Sequence, residues 1–352
     1  MAIIMSNDYG FGNNKYAYVY KGKQYKDSFE SRCMEGEGLS GTCLIMQGKS
    51  CTFGEGKLAS DYEHTTKDHE VHRLLLWKAM YDVHKKTGET DFYIMSSCGM
   101  DSWKEDKGKK VLDVMSEVKT ITIEDVRNKT KVELNIKEIK CSPETLSALP
   151  AAKDEINVRE EDEVLAFDIG TKNFQIIKYE GGRPLVDRSF STEYGMNRIY
   201  SDLADRTKTL ENVRYRSPYA VKVYLKKTSD GTMNPIEEVD SLILEYLQNV
   251  IFDEIDSKIN HLDISDFTRF AFLGGGATYL KRFLEAKYID NNPVFIVDGY
   301  YLTALGLLMR AIIEFKDKVG ISTTTTTTTK KTTKKTTKKS ENEVGVNLNE
   351  EK

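Results

Sequence analysis

Asp8-Tyr-Gly10 recurs 160 residues later as Asp168-Ile-Gly170. Each copy follows a short apolar run and precedes a second strand, so each reads as a tight hairpin turn. Glycine in such a turn leaves consecutive backbone N–H groups pointing outward, a nest for phosphate oxygens. An aspartate at the strand end can meet a hydrated Mg2+ beside those phosphates. Two such hairpins, one per domain, would grip a nucleotide triphosphate from opposite sides. A third glycine turn, Gly274-Gly275-Gly276, follows the apolar run 270–273 and leads into a helical pattern at 278–288. Without side chains there, a flat base and ribose can lie against the backbone. A single Asp-x-Gly is ordinary turn chemistry. The information lies in the order: strand and hairpin, strand and hairpin, then strand, three glycines and helix.

The intervening sequence alternates strand and helix patterns, which argues an α/β class. Residues 3–5 and 16–19 flank the first turn as a hairpin. Apolar residues at three- and four-residue spacings predict a helix over 66–86, stopped by Thr87-Gly88. Strands are expected at 91–95, 119–123 and 132–136, and Pro143-Glu144-Thr145 opens a short helix. In the second half, strands are expected at 164–168, 174–179 and 294–297. Helices are expected at 195–210, 236–259 and 300–315.

At 352 residues the chain has length for about two domains. Its net charge of -4 is unevenly spread, because residues 321–352 carry seven Lys and four acids. The acidic body is therefore no general nucleic-acid surface. The tail holds seven consecutive Thr, Thr323 to Thr329, followed by Lys-Lys-Thr-Thr repeats. With almost nothing apolar to bury, it is expected to be disordered and to offer DNA at most a weak contact. No run approaches the roughly eighteen apolar residues of a membrane span. The first residues lack a secretory signal's basic and apolar regions, so a cytoplasmic location is expected. Cys33, Cys43, Cys51, Cys98 and Cys141 are odd in number and contain no Cys-x-x-Cys pair, which argues free thiols.

Taken in order, the motifs resemble those of actin-like ATPases. Asp8-Tyr9-Gly10-Phe11-Gly12-Asn13-Asn14-Lys15 has the D-x-G-x-G-x-x-K spacing of their first phosphate loop. Asp168-Ile169-Gly170-Thr171-Lys172-Asn173 resembles the second loop, and Phe272-Leu273-Gly274-Gly275-Gly276-Ala277 their adenosine motif. Tyr300-Tyr-Leu-Thr-Ala304-Leu-Gly306 looks like their second interdomain connecting segment. Cys141-Ser-Pro143-Glu144-Thr-Leu is similar to the segment that presents the water-directing glutamate in plasmid-segregation actins of the ParM type. The resemblance spans about 1–315.

It implies the two-domain fold shared by actins, sugar kinases and heat-shock chaperone ATPases, with the nucleotide in the cleft between domains. Domain I would comprise 1–163 completed by the helix at 300–318, and domain II 164–299. ATP, with GTP as the alternative, would bind through the three motifs. Asp8 and Asp168 would hold the waters of Mg2+, Lys15 would neutralise phosphate charge, and Glu144 would orient the attacking water. Asp168 and Glu144 are thus the expected catalytic pair. The implied partners are further copies of the chain in a filament and a DNA-binding adaptor on a centromere-like site, with no membrane. The sequence departs from the family at Phe11, commonly Ser, and at Lys172, commonly Gly or Thr.

Three other patterns carry less. Gly36-Glu-Gly38-Leu-Ser-Gly41 fits a dinucleotide fingerprint, but no buried strand precedes it and no helix pattern follows. Gly41 to Gly48-Lys49-Ser50 has six residues between its glycines, too many for a Walker loop. His64, His69 and His72 match no zinc spacing and are expected on a helix surface. Lys67, His69 and Arg73 are expected on a solvated face or at a protomer contact. A small-molecule kinase of the same superfamily is the competing function, although no sugar-kinase Cys/His zinc cluster and no acceptor-domain insertion is visible.

Overall fold

The computed structural model describes residues 1–59, 66–152, 162–180, 183–192, 194–208, 215–259, 269–296 and 299–320. His64 and the expected disordered tail, 321–352, lie outside the described residues. The first half opens with an antiparallel meander, β1 (Ile3–Tyr9), β2 (Asn13–Tyr20) and β3 (Lys23–Glu30). Four short strands follow: β4 (Arg32–Glu35), β5 (Thr42–Met46), β6 (Lys49–Phe53) and β7 (Lys57–Leu58). Helix α1 (Glu70–Thr87) ends where Gly88 adopts φ 78° and returns its N–H to the His84 carbonyl, as the Thr-Gly signal predicts. Then come β8 (Asp91–Cys98), α2 (Met100–Asp106), α3 (Lys109–Ser116), β9 (Thr120–Asp125), β10 (Thr130–Pro143) and α4 (Glu144–Ala151).

The second half repeats the plan with fewer additions. It runs β11 (Glu163–Ile169), β12 (Phe174–Glu180), β13 (Arg183–Thr192), α5 (Met196–Thr207), α6 (Pro218–Ser229) and α7 (Glu237–Tyr246). A π-helical stretch, Leu247–Phe252, leads into α8 (Asp253–Ile259). The chain closes with β14 (Arg269–Leu273), α9 (Gly274–Lys287), β15 (Pro293–Phe295) and α10 (Leu302–Val319). The first sheet has order β3-β2-β1-β8-β10-β9-β5-β6-β4-β7 and the second β13-β12-β11-β14-β15. Five strands of each sheet therefore match: an antiparallel meander, then two strands added in parallel.

The pattern β1-β8-β10 explains the near-continuous burial of Ile3–Tyr9, since parallel strands are covered on both faces. Helix α10 packs against β1 and β8 of the first sheet through Leu307, Leu308, Ala311 and Phe315. The residues before Gly36 do form a strand, β4, paired with β6 and β7, but within that strand only Cys33 is buried. The glycine-rich segment 36–41 after it leads into a strand, not a helix, so no dinucleotide fingerprint forms. Gly48 sits in the β5–β6 hairpin turn at φ 79°. All five cysteines are free, and no helix among the described residues is long and apolar enough to cross a membrane.

Candidate functional site

Three parallel neighbours end together. Asn7 pairs with Ser96, and Ser142 with Ser97, so β1, β8 and β10 bring Asp8, Ser97 and Glu144 to one rim. In the second sheet Asp168 lies opposite Leu273, which places the start of α9 beside it. Ligands in α/β sheets bind beyond such carboxyl ends, and both rims face one cleft. The cleft walls include Asp8, Gly10, Phe11, Gly12, Asn13, Lys15, Glu144, Asp168, Gly170, Thr171, Lys172, Asn173, Gly274, Gly275 and Gly276. The expected site residues thus converge, with one exception.

Asn14 does not face the cleft. It is buried in the sheet, where its amide and that of Asn7 exchange hydrogen bonds at 2.9 and 3.0 Å. Side chains alternate along a strand, so Asn13 and Lys15 face the cleft and Asn14 cannot join them.

The two hairpins are built alike. At Gly10 an added Cβ would lie 2.3 Å from the Asn13 carbonyl oxygen, and at Gly170 3.0 Å from that of Asn173. Each turn therefore needs glycine for the same close approach. The first is held by the Ser31 hydroxyl, which donates to the Gly10 carbonyl. The second is held by α5, whose Met196 and Asn197 N–H groups donate to the Gly170 and Thr171 carbonyls at 3.0 and 2.9 Å. The two hairpins approach one another closely: a Cβ added at Gly12 would lie 2.7 Å from Thr171 Oγ1.

The triglycine segment is a helix start and not a separate turn. α9 begins at Gly274 itself, which takes φ 80° beside Asp168. A Cβ at Gly276 would meet the Ile169 side chain at 2.3 Å, so that glycine seats α9 on β11. Gly275 has no atom within 4 Å of the position its Cβ would take, and opens into the cleft. Unpaired N–H groups at such a helix start suit an anion or a polar ring edge.

Charge is concentrated at the carboxyl ends of β1 and β10. Lys15 Nζ lies 2.6 Å from Asp8 Oδ2, the partner that the hairpin register sets opposite it. Burial opposes the charge on Asp8, but Lys15 and Lys67 outweigh it and hold the carboxyl below the usual range. Burial likewise works against the Lys15 ammonium, and Asp8 overcomes it and raises the pKa. Asp168 is different: burial, only partly offset by Lys15, pushes its carboxyl up to about 6.

Lys67 corrects the sequence expectation of a solvated face. Its side chain is 5% exposed and its ammonium pairs closely with Glu144 Oε1, 3.6 Å from Asp8 Oδ1 and 3.3 Å from Ser97 Oγ. Burial holds it below the usual lysine range. Glu144 also accepts from Gln175 Nε2 at 2.9 Å, and Ser97 Oγ lies 3.4 Å from it. His72, expected on the surface, is fully buried, edge-on to Phe11 with ring centroids 5.5 Å apart. Arg73 stacks on Trp77 and pairs with Glu117, while His69 stays partly exposed, as expected. The departures from the family pattern meet here: Lys172 Nζ lies 5.0 Å from the centroid of the Phe11 ring.

Among the described residues no three His, Cys, Asp or Glu side chains converge as metal ligands. A Mg2+ ion, which binds through one or two carboxylates plus phosphates and waters, fits what Asp8 and Asp168 offer. A second cavity, about 330 Å3, lies between β4, β6 and the start of α1. Lys49 and Glu70 on its wall pair with one another at 3.3 Å, and it lacks the paired hairpins of the cleft.

No protein-family model and no curated protein matches the sequence. Solved structures do match. An archaeal actin homologue, Ta0583, superposes with TM-score 0.68 at 18% identity, covering 88% of this chain and 99% of that one. The apo psk41 ParM protein gives TM-score 0.63 at 16% identity, covering 91% and 99%. Bacillus thuringiensis ParM, solved with ATP, gives 0.63 at 14%, covering 89% and 99%. The chain therefore has the actin-like fold.

Proposed function

We propose that this protein binds and hydrolyses ATP in the cleft between two actin-like domains and assembles into filaments that move DNA, through an adaptor, in plasmid or similar segregation. The two domains would be 1–163 with the C-terminal helix, and 164–299. One observation carries the reading: the carboxylates of Asp8, Glu144 and Asp168 line one cleft between two glycine hairpins of the same construction. Support for the nucleotide comes from similar structures described as holding ADP or ATP. Support for assembly comes from the neighbour described as the Alp12 filament.

In this reading the hairpin N–H groups of 11–12 and 171–172 cradle the phosphates, those of Gly10 and Gly170 being used within the turns, and Lys15 neutralises charge beside them. The base and ribose lie against the α9 start at Gly275. Bound Mg2+, held through water by Asp8 and Asp168, would supply charge neutralisation at the phosphates. Glu144 orients a water for in-line attack on the γ-phosphorus and takes its proton, as ADP leaves carrying the bridging oxygen. Gln175 fixes the Glu144 carboxylate in place. Hydrolysis then changes which protomer contacts are favoured.

The test is negative-stain microscopy and light scattering of the purified protein with and without ATP and Mg2+, alongside phosphate release. Filaments that need ATP support the proposal. ATP consumption with transfer to a small metabolite, and no scattering, would favour the kinase instead.

A further inference from the structure

Lys67 is the buried cation that the cleft chemistry above leaves unassigned, and it stands at the end where a nucleotide's last phosphate would arrive. It lies on the irregular stretch just before α1, not on a strand. Each of its acceptors has another donor. Asp8 keeps Lys15 at 2.6 Å, and Glu144 keeps Gln175 at 2.9 Å with Ser97 nearby. Lys67 can therefore leave Glu144 without stranding a buried carboxylate, whereas Lys15 is tied to Asp8 by the hairpin register. While Lys67 stays, Glu144 Oε1 is engaged and so less able to orient water.

Resting on the proposed nucleotide reading, we infer that Lys67 is a terminal-phosphate sensor: it pairs with Glu144 until a third phosphate draws it away and releases the carboxylate to direct water. A triphosphate brings extra negative charge to the Asp8–Glu144 rim, while a diphosphate ends one phosphate short of it. The protein would then tell ATP from ADP with one lysine and couple that recognition to freeing Glu144. In this role Lys67 touches the nucleotide, and Glu144 competes with it for the ammonium.

That competition sets the test, using the full-length chain and equilibrium binding of fluorescent ADP and of a non-hydrolysable fluorescent ATP analogue, both with Mg2+. Lys67→Ala should weaken the triphosphate analogue at least tenfold and change ADP less than twofold, with Lys67→Arg restoring most of the difference. Glu144→Gln should tighten the triphosphate analogue several-fold, because Lys67 is no longer held, and leave ADP unchanged. In the Lys67→Ala/Glu144→Gln protein that gain should vanish. An equal loss for both nucleotides in Lys67→Ala would mark a structural lysine and overturn the inference, as would a Glu144→Gln gain that survives without Lys67. Should Lys67→Ala lose its native circular dichroism, Glu144→Gln alone decides, since no gain there also overturns it. Wild-type protein that binds neither nucleotide would instead overturn the nucleotide reading itself.

Discussion

Asp8 and Asp168 occupy equivalent hairpins, yet their surroundings drive them in opposite directions. Across from Asp8 the register places Lys15, and across from Asp168 it places Gln175. An ammonium stabilises the facing carboxylate and an amide turned toward Glu144 does not, so Asp168 is pushed up to about 6 by burial. A carboxyl whose folded pKa lies above its unfolded value subtracts stability as pH rises from the unfolded value through the folded one. Asp168→Asn removes that loss. In a metal-chelating buffer, its stability relative to wild type should increase by about 2 kcal/mol between about pH 4 and pH 8. Denaturant midpoints at the two pH values measure this, and a difference that shrinks with pH would reject burial as the cause. Glu144→Ala belongs to the same scale. It should keep nucleotide binding and assembly, and slow phosphate release by about 100-fold or more, the usual share of a positioned base. Loss of affinity with unchanged turnover per bound ATP would show that Glu144 binds instead of activating water.

Among the elements, the start of α9 separates two roles that the sequence joins in one triglycine. Gly275→Val should leave the fold intact, since its Cβ would project into open cleft, and should weaken ATP binding at least tenfold, about 1.4 kcal/mol. Gly276→Val should instead unseat the helix from Ile169 and lower the melting temperature, with nucleotide affinity lost only as a consequence. Fluorescent-ATP titration and thermal melts of both variants distinguish the cases; equal behaviour would rule out the division. The hairpins, the α1 stop and the first turn of α4 were legible because Asp, Gly and Pro act locally on the backbone. Strands β3, β4 and β7 were not read, because they are largely polar and at least half exposed and carry no alternating apolar signal, and β5 and β6 were not read because each is only five residues long. Helix α2, seven residues with Met100 alone buried, was too short to show a period, and α3 offers barely two turns of one. Lys67 could not be found at all, since its partners come from the ends of β1 and β10, brought together only by the parallel pairing. Gln175 was within reach: it stands to Asp168 as Lys15 stands to Asp8.

At the scale of the whole molecule, the cleft is too small for the ligand proposed for it. It encloses about 190 Å3, below the roughly 300–1,000 Å3 of small-molecule sites, and the two hairpins approach so closely that a Cβ added at Gly12 would lie 2.7 Å from Thr171 Oγ1. ATP would enter only if the two halves part, and the hairpin contact is where they would separate first. A Cβ at Gly12 would lie 3.5 Å from that of Thr171, within the span a disulfide bridges. Gly12→Cys/Thr171→Cys, oxidised, should therefore lock the halves in the present arrangement. Stopped-flow mixing with fluorescent ATP should show association slowed at least tenfold in the locked protein and recovered on adding reductant, with bridge formation checked by mass spectrometry. The reduced double variant serves as its own control, because any damage to phosphate binding by the two cysteines is the same in both states. Unchanged association in protein shown to be bridged would mean that the nucleotide enters elsewhere, and that the closed mouth does not govern access.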